Sequence, residues 1–271
     1  MLAHVRAPAS TANLGPGFDC AAVALDLWNE LEVSEGDGEI GVEHLGVRAF
    51  ERIASAEGKR FRFTDRIPRE RGLGSSAAVI ALGLVAAAAV SGSDAALEEL
   101  LAEGVALEGH ADNLAAALAG GVCLTWRNRI ARVADRPPAV PIALIPDTTV
   151  STEAARRALP HEVTHADATF TTARAALLGA ALASGSEELF AEALEDRLHE
   201  PYRSQGAPLL ESVREHLPEG ALGVTISGSG PSVIVWARPE AATACAQELT
   251  RQYPDVRVIE LAVSPRGAHA L

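Results

Sequence analysis

Apolar positions along this chain change rhythm several times, and each change marks an element. LAHVRAP and CAAVALDLWNELEVS read as strands, with the intervening STANLGPGFD as a loop. The break falls there because Pro8, Gly15, Pro16 and Gly17 punctuate helix and strand alike. Over 47–58, apolar residues at 47, 49, 50, 53 and 54 fit an amphipathic helix that ends at a glycine. FRFTDRIP then alternates as a strand. Residues 77–90, AAVIALGLVAAAAV, are apolar on every side, which predicts a buried helix. The run is shorter than the ~20 residues that a membrane span needs. SGSDAALEELLAEGVALEG follows as a helix, with Ser93 or Asp94 as its cap. HADNLAAALAGG is a polar tip opening into a small-residue helix, and VCLTW is a short strand.

Prolines cluster in RPPAVP, which places a boundary between 1–137 and 138–271. The second half restarts with a strand, IALIP, and a helix around STEAARRALP. A longer helical pattern covers 166–183 and continues over 187–199. GALGVTISGSGPSVIVWAR is two β-branched runs joined by a glycine loop, and a helix near 240–253 and the strand VRVIELAV complete the chain. The alternation lacks the regular spacing of a doubly wound sheet, so two mixed α+β domains are expected.

Composition narrows the functional classes. A formal charge of −13 argues against a protein whose main task is to hold nucleic acid or an anionic membrane. A hydrophobic fraction of 48% supplies a real core. Lys59 is the only lysine, so a Schiff-base lysine and a Walker-type phosphate lysine have essentially no candidate. Cys20, Cys123 and Cys245 show neither metal spacing nor a disulfide framework, and the N-terminus has no signal pattern. A cytoplasmic protein is the resulting expectation.

Chemistry concentrates in three glycine-rich segments. In RGLGSSAA, Gly72 and Gly74 allow close backbone approach, and Ser75 and Ser76 fall at the start of the apolar helix. Unpaired amides and the positive end of the helix dipole can hold a phosphate there without a lysine. A serine hydroxyl in that place can also reach a Mg²⁺ ion. Taken alone, a plain serine cap on a core helix is at least as good a reading. PASTANLGPGFD and ISGSGPS shift the balance, because three such loops are harder to explain as mere turns. Neither GLGSS nor GSG fits the dinucleotide fingerprint.

In this order and spacing, APASTANLGPGFD, IPRERGLGSSAA and TISGSGPS resemble the three motifs of the GHMP small-molecule kinases, and most of all those of the homoserine kinases. The resemblance covers essentially the whole chain. It implies an α+β GHMP kinase fold: an N-terminal ATP-binding domain like ribosomal protein S5 domain 2 and a C-terminal ferredoxin-like domain, with the active site between them. It implies ATP and Mg²⁺, with L-homoserine as acceptor, in threonine biosynthesis. It is also compatible with a homodimer.

Site roles follow from the same resemblance. Pro68, Arg71, Gly72, Leu73, Gly74, Ser75, Ser76 and Ala77 would surround the ATP phosphates, and Ser227, Gly228, Ser229 and Gly230 form the third motif's loop. Ser76 and Glu108 are the expected metal neighbours, with Glu103 as the rival carboxylate. The amino acid would be held by Asn13, Asp19, His110, Asn113, Thr152, Arg156 and Arg203, and Asn13, Asp19 and Asn113 would also stand nearest the chemistry. Arginines suit an α-carboxylate, which they grip through charge-assisted bonds, and a carboxylate suits the ammonium. Arg203 is placed in an interhelix loop. Mevalonate-type relatives carry a lysine in the first motif where this chain has STAN, so direct attack by the substrate hydroxyl without a strong base is expected.

Departures from the pattern are Glu70 before the glycine loop, expected to face solvent, and His44 where an asparagine near the adenine is the norm. The stretch between Val33 and Val47 is also short. Two alternatives stay open at this point: a GHMP kinase for another small hydroxylated metabolite, and an inactive ligand-binding paralogue.

Overall fold

A computed structural model of the protein describes all residues except 37, 39 and 42, which lie inside the stretch read as short. The first half consists of β1 (Ala3–Asn13), β2 (Gly17–Glu35), α1 (Leu45–Glu51), β3 (Lys59–Thr64), α2 (Ser75–Ser91), α3 (Leu97–Glu108), α4 (Asp112–Ala119), β4 (Val122–Trp126) and β5 (Arg129–Ala134). The second consists of β6 (Val140–Ile145), α5 (Thr152–Arg157), α6 (His165–Ser184), α7 (Glu187–Ala193), α8 (Glu200–Arg203), α9 (Leu209–Glu215), β7 (Ala221–Ile226), β8 (Val233–Ala237), α10 (Ala242–Gln252), β9 (Arg257–Glu260) and β10 (His269–Ala270).

Among the described residues, the first sheet has the order β10-β1-β2-β4-β5, with β3 also paired to β2. The second has the order β7-β8-β6-β9. All its pairs are antiparallel, and with α10 and the preceding helices it forms the β-α-β-β-α-β pattern of a ferredoxin-like layer. The chain end returns to the first sheet, where β10 pairs with β1.

Strand β6 shows how the two halves share apolar surface. Its alternate residues Ile142 and Leu144 join Leu210, Val213, Val224 and Leu249 under α9 and α10. Ala143 and Ile145 face the other way and join the main core, which also holds Trp236, Phe190 and the buried side of α2. Helix α2 is buried along most of its length, as its uniform apolarity requires. Gly83 lets α1 lie directly on it, since a Cβ there would sit 2.1 Å from the Gly46 carbonyl oxygen.

Several expectations are corrected. The STAN segment is strand, not loop, and only residues 14–16 break the hairpin. Ser10 and Thr11 stay in β1 because their buried hydroxyls find partners in Asn113 and Ser227. Pro8 is accommodated where the β1–β2 register shifts. Helix α1 stops at Glu51, and Gly58 belongs to the turn before β3. Ser93 and Asp94 do not cap α3; it starts at Leu97, and the Ala96 amide donates to the Glu99 carboxylate at 3.1 Å. The 187–199 pattern breaks at Ala193. There the Asp196 carboxylate accepts the amides of Leu198, His199 and Glu200, which starts α8. Arg203 therefore lies in a one-turn helix rather than a loop. Strand β5 has no counterpart among the sequence expectations. Among the described residues, no helix is long and apolar enough to cross a membrane.

Candidate active site

A cleft of about 230 Å³ opens where the α2 N-terminus, α4, the β1–β2 turn, α5 and α8 converge. One end is the glycine loop. Gly74 caps α2 in the left-handed region (φ +66) without a side-chain bond, so the first amides of the helix stay open toward the cleft. The absence of a Cβ at residue 72 is required by packing. A methyl there would lie 2.0 Å from the Ser227 carbonyl oxygen, in the third-motif loop. Ser227 Oγ donates to the Gly72 carbonyl at 2.7 Å, so the second and third motifs are in direct contact. Arg71 is spoken for: its guanidinium donates to the carbonyls of Arg69, Pro146 and Asp147 at 3.0, 2.9 and 2.6 Å. Glu70, expected in solvent, is exposed but also lines the cleft, with φ +55.

Beside the helix start, Ser76 Oγ donates to the Glu108 carboxylate. Burial raises the Glu108 pKa above the ordinary carboxylate value, and the Ser76 bond opposes the rise. Glu103 is outside the cleft and pairs with Arg52 at 2.5 Å. Among the described residues no cluster of three or more His, Cys, Asp or Glu could cage a metal. A hydroxyl and one carboxylate beside a phosphate cradle suit Mg²⁺, which takes few protein ligands and fills its shell from phosphate and water.

The other end is charged and polar. Arg156, on α5, makes a two-pronged pair with Asp19 on β2, at 2.7 and 3.1 Å. Its Nε donates to His110 Nε2 at 2.7 Å, which puts the imidazole proton on Nδ1. Burial, reinforced by the Arg156 charge, lowers the His110 pKa. Arg203 is buried, donates to the Gly228 carbonyl at 3.1 Å, and has an Nε with no partner. Asn13 donates to the same carbonyl at 2.9 Å and accepts the Asp19 amide at 3.1 Å. Asn113 Oδ1 accepts from Ser10 Oγ at 2.8 Å.

The cleft thus gathers Asn13, Asp19, Arg71–Ser76, Glu108, His110, Asn113, Thr152, Arg156, Arg203, Gly228 and Ser229. Pro68, Ala77, Ser227 and Gly230 do not line it; Ala77 is in the core and Ser227 braces the glycine loop. His44 also stays outside. It caps α1 by accepting the Gly46 amide at 3.2 Å and lies 4.1 Å from the Phe63 ring. Asp112 is a cleft residue that the sequence reading passed over. Burial lifts its pKa to about 6, against the opposing effect of the Asn113 amide that it accepts at 2.7 Å. Its position inside HADN, between His110 and Asn113, was the available signal.

The fold and cleft define a small-molecule phosphotransferase of the GHMP type. The GHMP kinases N terminal domain matches residues 43–121 and the GHMP kinases C terminal domain matches residues 178–255. The chain is 39% identical to the homoserine kinase of Gloeobacter violaceus, over 97% of both chains. It is 37% identical to that of Synechococcus sp., over 98% of this chain and 97% of the relative. The crystal structure of homoserine kinase from Cytophaga hutchinsonii superposes with a TM-score of 0.87 at 25% identity, over 99% of this chain and 97% of that one. The chain belongs to the homoserine kinase family of GHMP kinases.

Proposed function

We propose that the protein transfers the γ-phosphoryl group of ATP to the side-chain hydroxyl of L-homoserine, giving O-phospho-L-homoserine and ADP, a step of threonine biosynthesis. One observation carries the reading: an anion cradle at a lysine-free helix start shares a cleft with the acceptor-side arginines Arg156 and Arg203 and the carboxylates Asp19 and Asp112.

The amides of the cleft-lining loop at 72–76 receive the phosphates, with the α2 dipole adding to the attraction. Ser76 and Glu108 would hold Mg²⁺, which neutralises phosphate charge when bound. Arg156 and Arg203 take the amino acid's carboxylate, and Asp19 and Asp112 take its ammonium. Asn113, fixed by Ser10, orients the hydroxyl. The hydroxyl oxygen bonds to the γ-phosphorus as the bond to the β,γ-bridging oxygen breaks, and the hydroxyl proton leaves with the phosphate oxygens or water. Positioning and charge neutralisation suffice for such a transfer. The reading includes a cytoplasmic location and is compatible with a homodimer.

A coupled ADP-release assay with ATP, Mg²⁺ and L-homoserine, run beside mevalonate and other small alcohols, tests the proposal. Homoserine-dependent turnover well above the alcohols is expected. A preference for mevalonate, or nucleotide binding without turnover, would overturn it.

A further inference from the structure

Behind the cleft, outside its lining, the segment at 194–200 buries three polar side chains, Asp196, His199 and Glu200, that none of the roles above uses. Asp196 is its base, holding three amides with one carboxylate oxygen while the other accepts from Thr171 Oγ1 at 3.3 Å. His199 projects from it and is fully buried. Its Nε2 donates to the Gly15 carbonyl at 2.8 Å, and its ring stacks on Phe18 with centroids 4.9 Å apart. With Nε2 as the donor, Nδ1 is the unprotonated nitrogen, and it has no partner.

The contacts go to the β1–β2 turn, at Gly15, and to the first residues of β2, at Phe18, and the backbone there is strained. Asn13, Leu14 and Asp19 all have positive φ, at 76°, 48° and 56°. Non-glycine residues hold such angles only where their surroundings over-determine them. Gly15 shows how tightly the turn is seated. A Cβ on it would lie 2.5 Å from the Leu194 carbonyl oxygen, in the same segment that carries His199. Phe18 extends the connection into the site, for the guanidiniums of Arg203 and Arg156 lie 5.0 and 5.9 Å from its ring centre. Asp19 is the next residue.

We propose that His199 is a positioning residue for the acceptor half of the cleft. Its bond to the Gly15 carbonyl and its stack on Phe18 hold the turn that presents Asn13 and Asp19 and the ring that the two arginines flank. The inference rests on the homoserine reading only for the identity of the acceptor. His199 acts by geometry and not by titration: burial pushes its pKa down to about 4, so it stays neutral over the working range.

The test compares His199→Phe, which keeps a ring and loses the donor, with His199→Gln, whose amide can still donate to the Gly15 carbonyl. Steady-state kinetics are measured on whichever acceptor the wild-type enzyme prefers in a panel that includes L-homoserine, so a wrong acceptor shows in the wild type alone. His199→Phe should raise the acceptor KM by about tenfold, the scale of an unpaired buried carbonyl, with the ATP KM within about twofold. His199→Gln should recover most of the loss. Phe18→Leu is the second probe should His199→Phe fail to fold, and it should shift the acceptor KM in the same direction. A lower melting temperature with both KM values unchanged, or an equal rise in the two, would overturn the proposal.

Discussion

Asp112 is a carboxylate whose environment decides its use. It is buried, and the neighbouring Asp19 charge adds to the rise caused by burial. With its pKa near 6, the group is ionised at neutral pH and loses its charge just below. An ammonium facing it would lose that attraction as pH falls through about 6. The profile of kcat/KM for homoserine should therefore carry an acid limb near pH 6, reporting the free enzyme. Asp112→Asn should lower kcat/KM at pH 8 by at least about tenfold, the scale of a lost charged hydrogen bond, and should remove that limb. A limb left unchanged in the variant would assign it to another group. HADN was legible as a site motif, but the sequence favoured His110 and Asn113 over the carboxylate that lies between them. Nothing local distinguishes Asp112 from a solvated helix-start carboxylate; its burial depends on where the fold sets the start of α4, at the cleft.

The 196–203 segment gives the same lesson for an element. Periodicity over 187–199 reads as continuous helix, yet Asp196 takes three amides and redirects the chain. That choice is tertiary, since Asp196 is itself buried against Thr171. Elements that assert themselves locally were readable: uniformly apolar α2, the β7–β8 glycine loop, and α10 between its turns. Those set by distant partners were not, such as the strand character of STAN and the arginine-rich β5. The segment also carries two opposed titrations. Glu200, fully buried, accepts the Ile226 amide at 2.8 Å and pairs with Arg214 at 2.9 Å, yet burial still lifts its pKa to about 7. The folded state keeps that proton where the unfolded chain, near 4.5, has released it, so stability falls as pH rises from 4.5 to 7. For His199 the sign is reversed. Its folded value near 4 lies below the ordinary 6.5, so stability falls as pH drops from 6.5 toward 4. Melting temperatures at pH 5 and pH 8 should separate the two. Glu200→Gln should gain relative stability at pH 8, and His199→Gln should gain it at pH 5. Wild-type pH dependence in both variants would contradict this assignment.

At the scale of the molecule, the Asp19–Arg156 pair joins the first sheet to α5 across the cleft. Both side chains are more than a third exposed, at 41% and 35%, so the pair is screened and contributes on the order of 1 kcal/mol or less. A weak internal pair is easily exchanged. A zwitterionic amino acid offers an ammonium to Asp19 and a carboxylate to Arg156, replacing each charge with its like. A ligand with only one charge takes one partner and strands the other, whereas a ligand with neither leaves the pair intact. The losses on stripping homoserine of its charges should therefore not multiply. Against L-homoserine, kcat/KM should fall steeply for 4-hydroxybutanoate, which lacks the ammonium, and for 3-aminopropan-1-ol, which lacks the carboxylate. For propan-1-ol, which lacks both, the loss should be smaller than the product of the two single losses, by roughly fivefold. Losses that multiply would mean that the ammonium and carboxylate subsites act independently, and that the pair plays no part in choosing an amino acid over a simple alcohol.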